Sequence, residues 1–179
     1  MNRVCWIVLF VTIVLIHSAS NIFAYGGDNI PSGKEIEYAQ QMYKLIKAFD
    51  QQESSFVEKM QNVPVSQHEL IKKAFKDKFN YTKDFYLQSR QLVPTTKFAP
   101  VHQKMLEGIY GNLQYLKKVC VELENGKNLQ EASQSTIGLF KSSNKIYEKA
   151  VVSFMDIIKS WQRPYMEKVT GPPPQAQPK

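Results

Sequence analysis

Four stretches of the chain repeat apolar residues at helical spacing, three of them in alternating steps of four and three that line up one face of an α-helix. In the first, Met42, Ile46, Phe49, Phe56, Met60 and Val63 form the stripe, and Glu53 occupies the place of a missing apolar residue. The second, with Ile71, Ala74, Phe75, Phe79, Phe85, Tyr86 and Leu92, is broader and more aromatic. The third runs His102, Leu106, Ile109, Leu113, Leu116, Cys120, Leu123. The fourth is Phe140, Asn144, Tyr147, Val151, Phe154, Ile158, Trp161. No stretch alternates with a period of two, so a sheet has no source.

Helix signals bracket these stripes. Ser32 precedes Glu35 by three residues, Ser66 precedes Glu69 and Asn128 precedes Glu131, which predicts capping boxes at three helix starts. The first helix is expected over 32–62, stopped by Pro64. Pro94 stops the second, and "PTTKFAP" is the longest connection. Pro100 suits the first turn of the third helix, where its missing N–H is no loss. "ENGK" closes that helix, with Asn125 or Gly126 in the left-handed conformation. The fourth helix is predicted to start after Asn128 and to be the longest, ending or kinking at Pro164. Short connections make consecutive helices antiparallel, so the expected fold is all-α, an up-down-up-down four-helix bundle over 32–168.

The ends read differently. Arg3, the apolar run Val4–Ile16 and the small-residue exit "HSASNIFA" have the order of a secretory signal peptide, residues 1–24, cut after Ala24. The run is shorter than the ~20 apolar residues that span a bilayer, so no stable membrane span is expected after cleavage. Residues 25–31 form a lead-in. "GPPPQAQPK" and the two residues before it, 169–179 in all, read as a disordered Pro-rich tail. Of the two cysteines only Cys120 follows the leader, so no disulfide staples the fold.

The net charge is +7, but the lysines are scattered through "IKK", "KDK" and "LKK" without interleaved aromatics. That pattern predicts a solvated basic surface, one able to meet an anionic polymer, and gives no sign of a nucleic-acid partner.

Three polar residues fall on the core stripes: Glu53, His102 and Asn144. By height they are expected apart: Glu53 toward the Pro64 end, facing Lys117 or Lys118 and Ser133 or Ser135, Asn144 near the middle, His102 at the opposite end. They make no catalytic or metal constellation, since the E-x-x-H repeat of di-iron bundles is missing and His68–Glu69 is not H-E-x-x-H. Cys120 lies eighteen residues from His102, ~27 Å along one helix, too far for a thiol–imidazole pair. We therefore expect no enzyme, no metal and no cofactor. A haem or small ligand between His102 and Met42 or Met155 is the alternative. His102 itself is expected as a neutral ring in the positive first turn of its helix. At the C-terminal end "WQRPYMEK" groups Trp161, Arg163 and Tyr165 around a helix breaker, either as a cap on the bundle or as an exposed interaction group. "NYT" at Asn80 matches a glycosylation sequon but falls mid-helix.

The segment "VPTTKFAPVHQKMLEGIYGNL", with its proline-bounded connection and Leu106 four residues after His102, resembles the poorly characterised exported helical domains of Gram-positive spore-forming bacteria, many of them lipoproteins. The resemblance implies export and a helical fold and contributes no activity. The chain lacks their lipid-attachment cysteine, since Cys5 lies at the start of the apolar run instead of just after its end. The expected function is a secreted or envelope-associated, non-enzymatic protein acting through its surface on an unidentified protein or anionic envelope polymer.

Overall fold

The structure is a computed structural model that describes residues 29–64 and 66–171. The leader, most of the lead-in and the proline run lie outside the described residues. Those described are all-helical: α1 (Gly33–Asn62), α2 (His68–Gln91), α3 (Ala99–Glu124), α4 (Leu129–Gln134), α5 (Ile137–Lys159) and α6 (Arg163–Thr170). None of these helices is long and apolar enough to cross a membrane.

Two of the three expected capping boxes form. Ser32 accepts from the Glu35 N–H while Glu35 accepts from the Ser32 N–H, and Asn128 and Glu131 do the same for α4. The expected Ser66–Glu69 box does not. The Pro64 carbonyl accepts from the Gln67 N–H at 2.9 Å, and this turn delays α2 until His68. Glu69 is then the second helical residue instead of the third, and it pairs with Lys72 at 2.8 Å.

The expected long fourth helix is broken, and α1 with 30 residues is the longest. The break falls in the hydroxyl-rich "SQST". Ser133 donates its hydroxyl to the Leu129 carbonyl at 2.8 Å, and the Ser133 carbonyl accepts from both the Thr136 N–H and its hydroxyl. Such local bonds compete with the i→i−4 ladder and let the axis restart at Ile137. A second restart follows Trp161, where Pro164 sits in the first turn of α6. The helix that the sequence ends near Pro164 therefore resumes to Thr170. Val169, assigned to the tail by the sequence, is buried.

Neighbouring long helices run antiparallel, as their contacts show. Along α1 the partners on α2 recede: Phe49 stacks on Phe85 at 4.4 Å, and Phe56 meets Phe75 edge-on at 5.4 Å. His68, at the start of α2, donates from Nε2 to the Leu123 carbonyl near the end of α3, while Tyr86 meets Tyr110. Tyr115 of α3 packs on Phe140 of α5, and Phe98, just before α3, packs on Phe154. The α3–α5 pair is the closest, because Gly108 and Gly111 face Ser143 and the Tyr147 backbone with no side chain between. Gly126 ends α3 with φ +84°, the left-handed conformation expected at that turn.

The core is two apolar clusters. One gathers Met42, Phe49, Phe85, Met105, Ile109 and Phe154 toward the start of α1. The other gathers Phe56, Ile71, Phe75, Leu116 and Leu123 toward its end. Between them lies a polar belt.

Candidate functional site

The belt comes from a stripe that a search for apolar residues alone cannot follow. The buried face of α2 is Ile71, Phe75, Lys78, Thr82, Phe85 and Ser89, in steps of four and three without a gap. The expected stripe drifted instead to Ala74, Phe79, Tyr86 and Leu92, which are only half-buried. On α3 the deepest face adds Met105, Gly108, Asn112 and Val119, while Leu106 and Cys120 of the expected stripe are half-buried.

Glu53 is the centre of the belt. Its Oε2 accepts from Lys78 Nζ and its Oε1 from the Tyr81 hydroxyl, both at 2.6 Å. Lys78 and Tyr81 are three apart on α2 and so reach the same spot. The Lys78 ammonium also lies 4.3 Å from the centre of the Phe56 ring. These partners replace the expected ones, Lys117 or Lys118 and Ser133 or Ser135. Lys117, Lys118 and Ser135 are exposed, and Ser133 is spent on its own helix. Burial, then the charge of Glu53 and its hydrogen bond, keep the Tyr81 phenol protonated. Both oxygens of Glu53 are thus engaged within the protein.

Beside this pair is a cavity of ≈ 40 Å3, lined by Asp50 and Glu53 of α1, Lys78 and Thr82 of α2, Asn112 of α3, Asn144 and Tyr147 of α5 and neighbouring rings. Glu53 and Asn144, expected at different heights, thus line one chamber. Asn144 is half-buried and donates from Nδ2 to Glu148 Oε1 at 2.6 Å, four residues on. Burial raises the Glu148 carboxyl, and the Asn144 bond partly opposes that. Asp50 was not singled out by the sequence because it stands just beside the stripe. Its carboxyl is pushed up to about 6 by burial, with Lys47 opposing and Glu53 adding to the rise.

His102 is elsewhere. It is buried in the first turn of α3, with Pro100 two residues before it, and its Nδ1 lies 2.8 Å from the Tyr38 hydroxyl. Burial pushes the imidazole down and the phenol up. The phenol and Nδ1 therefore share one hydrogen bond, and the lowered imidazole favours the neutral ring. Tyr38 also packs on Phe98, the buried residue of the long connection, 4.9 Å away. Nδ1 is thus committed to a structural bond. Because the imidazole is depressed, its share of stability is present above about pH 6.5 and is lost as pH falls through its folded value. His102→Gln should keep the fold, cost about 1 kcal/mol and flatten the acid side of a thermal-stability profile between pH 5 and 7.

The C-terminal group resolves into a cap. Trp161 is fully buried, packed edge-on against Phe98 at 6.0 Å, and its backbone forms a bridge with Asn29 of the lead-in. It is no exposed interaction residue, because the lead-in and the Phe98 connection close over it. Tyr165 is half-buried, and Arg163 is exposed and paired with Glu167 at 2.6 Å. Burial raises the Cys120 thiol, with Glu124 adding to the rise, so its thiolate population is small. Asn80 is exposed on α2. Among the described residues no group of three His, Cys, Asp or Glu side chains is placed to hold a metal ion. The chain matches no protein-family model, no curated protein and no solved structure.

Proposed function

We propose that the chain is an exported, non-enzymatic up-down-up-down four-helix bundle of α1, α2, α3 and α5, with α4 and α6 as short attachments, that binds through its basic surface. The partner class is an anionic polymer of the cell envelope or an acidic protein outside the cell. The antiparallel contacts between successive long helices support the architecture. The leader-like order of residues 1–24 supports export.

One observation carries the binding reading. Lys141, Lys145 and Lys149 of α5 are exposed, stand four residues apart and belong to none of the ion pairs of the described residues. Ser143, Tyr147 and Ala150 point the other half of the helix inward, so the three ammonium groups project together into solvent. Surface lysines that serve solubility alone are commonly interleaved with carboxylates, as Lys72 and Lys73 are with Glu69 and Asp77. Here no such neutralisation occurs, and a row of like charges a helical turn apart matches the repeated charge of a polyanion.

The test is co-sedimentation with purified envelope polymer over a salt series. Binding should weaken steadily as salt rises. The variant Lys141→Gln/Lys145→Gln/Lys149→Gln should bind about tenfold more weakly or worse at low salt. Salt-insensitive binding, or a variant that binds like the parent, would overturn the reading.

A further inference from the structure

The polar cavity contains something that surface binding does not use. Thr82 Oγ1, Asn112 Oδ1 and the Tyr147 hydroxyl are buried without a hydrogen-bond partner, and all three side chains line this one chamber. Each of these residues is at least nine-tenths buried. Leaving three such atoms unpaired costs far more than a fold of this kind tolerates, so an occupant must satisfy them. Asp50 is on the same wall, and among the described residues no side chain supplies its carboxyl with a hydrogen bond.

We propose that the cavity is a hydration site, holding about three ordered waters that bind Thr82, Asn112, Tyr147 and the Asp50 carboxyl and give Asp50 a route for exchanging its proton with solvent. The size fits: ≈ 40 Å3 is room for about three waters at roughly 10–15 Å3 each. The bonding fits as well. Buried waters make about three hydrogen bonds each, and the three orphaned atoms, the two oxygens of Asp50 and the bonds between the waters meet that demand. Asp50, Glu53 and Asn144 are half-buried, so the chamber reaches the surface at the seam between α1 and α5. An alkali or ammonium ion is the competing occupant, drawn by the carboxylate of Asp50. It would stand beside the Lys78 ammonium, which disfavours it.

The charged and titratable groups around Asp50 define its behaviour. Lys47 and Glu53 face it from α1, the Glu53-bound Lys78 from α2, the Tyr115 phenol from α3 and the Tyr147 phenol from α5. Glu148, also on α5, is engaged by Asn144. Burial holds the phenols of Tyr115 and Tyr147 far above neutral pH, so neither competes for the proton. Because the Asp50 carboxyl is raised to about 6 from an ordinary value of 3.8, its protonated form favours folding. That stability is present at and below about pH 4 and is lost as pH rises through about 6. His102 acts in the opposite sense over part of this range, so the Asp50 term must be read as a difference between variants.

The experiment uses the full chain with its aspartate carboxyl carbons labelled, followed by NMR from pH 3 to 8. One resonance, absent from Asp50→Asn, should titrate near pH 6, and long-lived water cross-peaks should appear at the side chains of Thr82 and Asn112. Thr82→Val should remove its water cross-peak and move the Asp50 midpoint further up, since the carboxylate loses part of its solvation. Asp50→Asn should be more stable than the parent at pH 7.5 and lose that advantage at pH 4. A chamber without bound water at Thr82 and Asn112, or an Asp50 midpoint that Thr82→Val leaves unmoved, would overturn the proposal. A saturable, ion-specific shift of its midpoint by potassium or ammonium at constant ionic strength would overturn it too, and would assign the chamber to a cation.

Discussion

Glu53→Ala should destabilise the protein by about 3 kcal/mol, read as a lower midpoint in urea unfolding with an unchanged slope. The substitution removes little apolar area. Its cost arises because Lys78, whose side chain is 10 % exposed, loses the one carboxylate it pairs with among the described residues, while the Tyr81 hydroxyl loses its acceptor. An ammonium in that position lies against the Phe56 ring and on the wall of the chamber, where water would replace the charged carboxylate only in part. Removing the whole network should be milder. Glu53→Leu/Lys78→Met/Tyr81→Phe should lose less stability than Glu53→Ala alone, because no polar group of the network is left without its partner. If the triple variant is the less stable of the two, the belt contributes net stability beyond what its desolvation costs.

Gly108→Ala should lower the melting temperature by roughly 4–8 °C, a net loss of about 2 kcal/mol for a chain of this size. Alanine is the better helix former, and in open helix the change would gain about 1 kcal/mol. At Gly108 a Cβ would lie 2.6 Å from the Tyr147 backbone nitrogen and 2.9 Å from the Ser143 carbonyl oxygen. Neither neighbour is the free end of a side chain, so relief requires α3 and α5 to part along their length. Gly138→Ala is the control. Nothing lies within 4 Å of its Cβ position, and it should leave the melting temperature unchanged or raise it. Equal effects at the two glycines would contradict the close α3–α5 approach.

Gly108 also shows why part of this molecule is legible in the sequence and part is not. Helix existence is local. Caps such as Ser32–Glu35 and the stripe Met42, Ile46, Phe49, Phe56 depend on residues within a turn or two, and they form as expected. Helix proximity is not local. Nothing near Gly108 in sequence announces Tyr147, and glycine in a helix reads as a weakness until its neighbour is known. The belt was hidden for a related reason. A hydrophobic pattern treats Lys78, Thr82, Ser89 and Asn112 as solvent-facing, although their spacing continues the buried stripes without interruption. Following position instead of polarity would have found them. Glu53 was visible because it broke a stripe of its own helix, but its partners were not, since identifying Lys78 requires the register of α1 against α2. The broken fourth helix and the late start of α2 turn on single hydrogen bonds within "SQST" and after Pro64, which compete with the helical ladder by about 1 kcal/mol each.

The bridge between Asn29 and Trp161 gives the molecule a direction. Asn29 also accepts from the Gln162 N–H, and Lys168 in α6 accepts from Gln40 in the early part of α1. The first and last described residues therefore lie together at one pole of the helical body. The opposite pole carries the Pro64 and Gly126 turns. Lys141 lies in the half nearer that far pole and Lys149 near mid-height, because α5 runs back from there toward Trp161. The row of lysines therefore lies between mid-height and the far pole, away from the pole where the described residues begin and end.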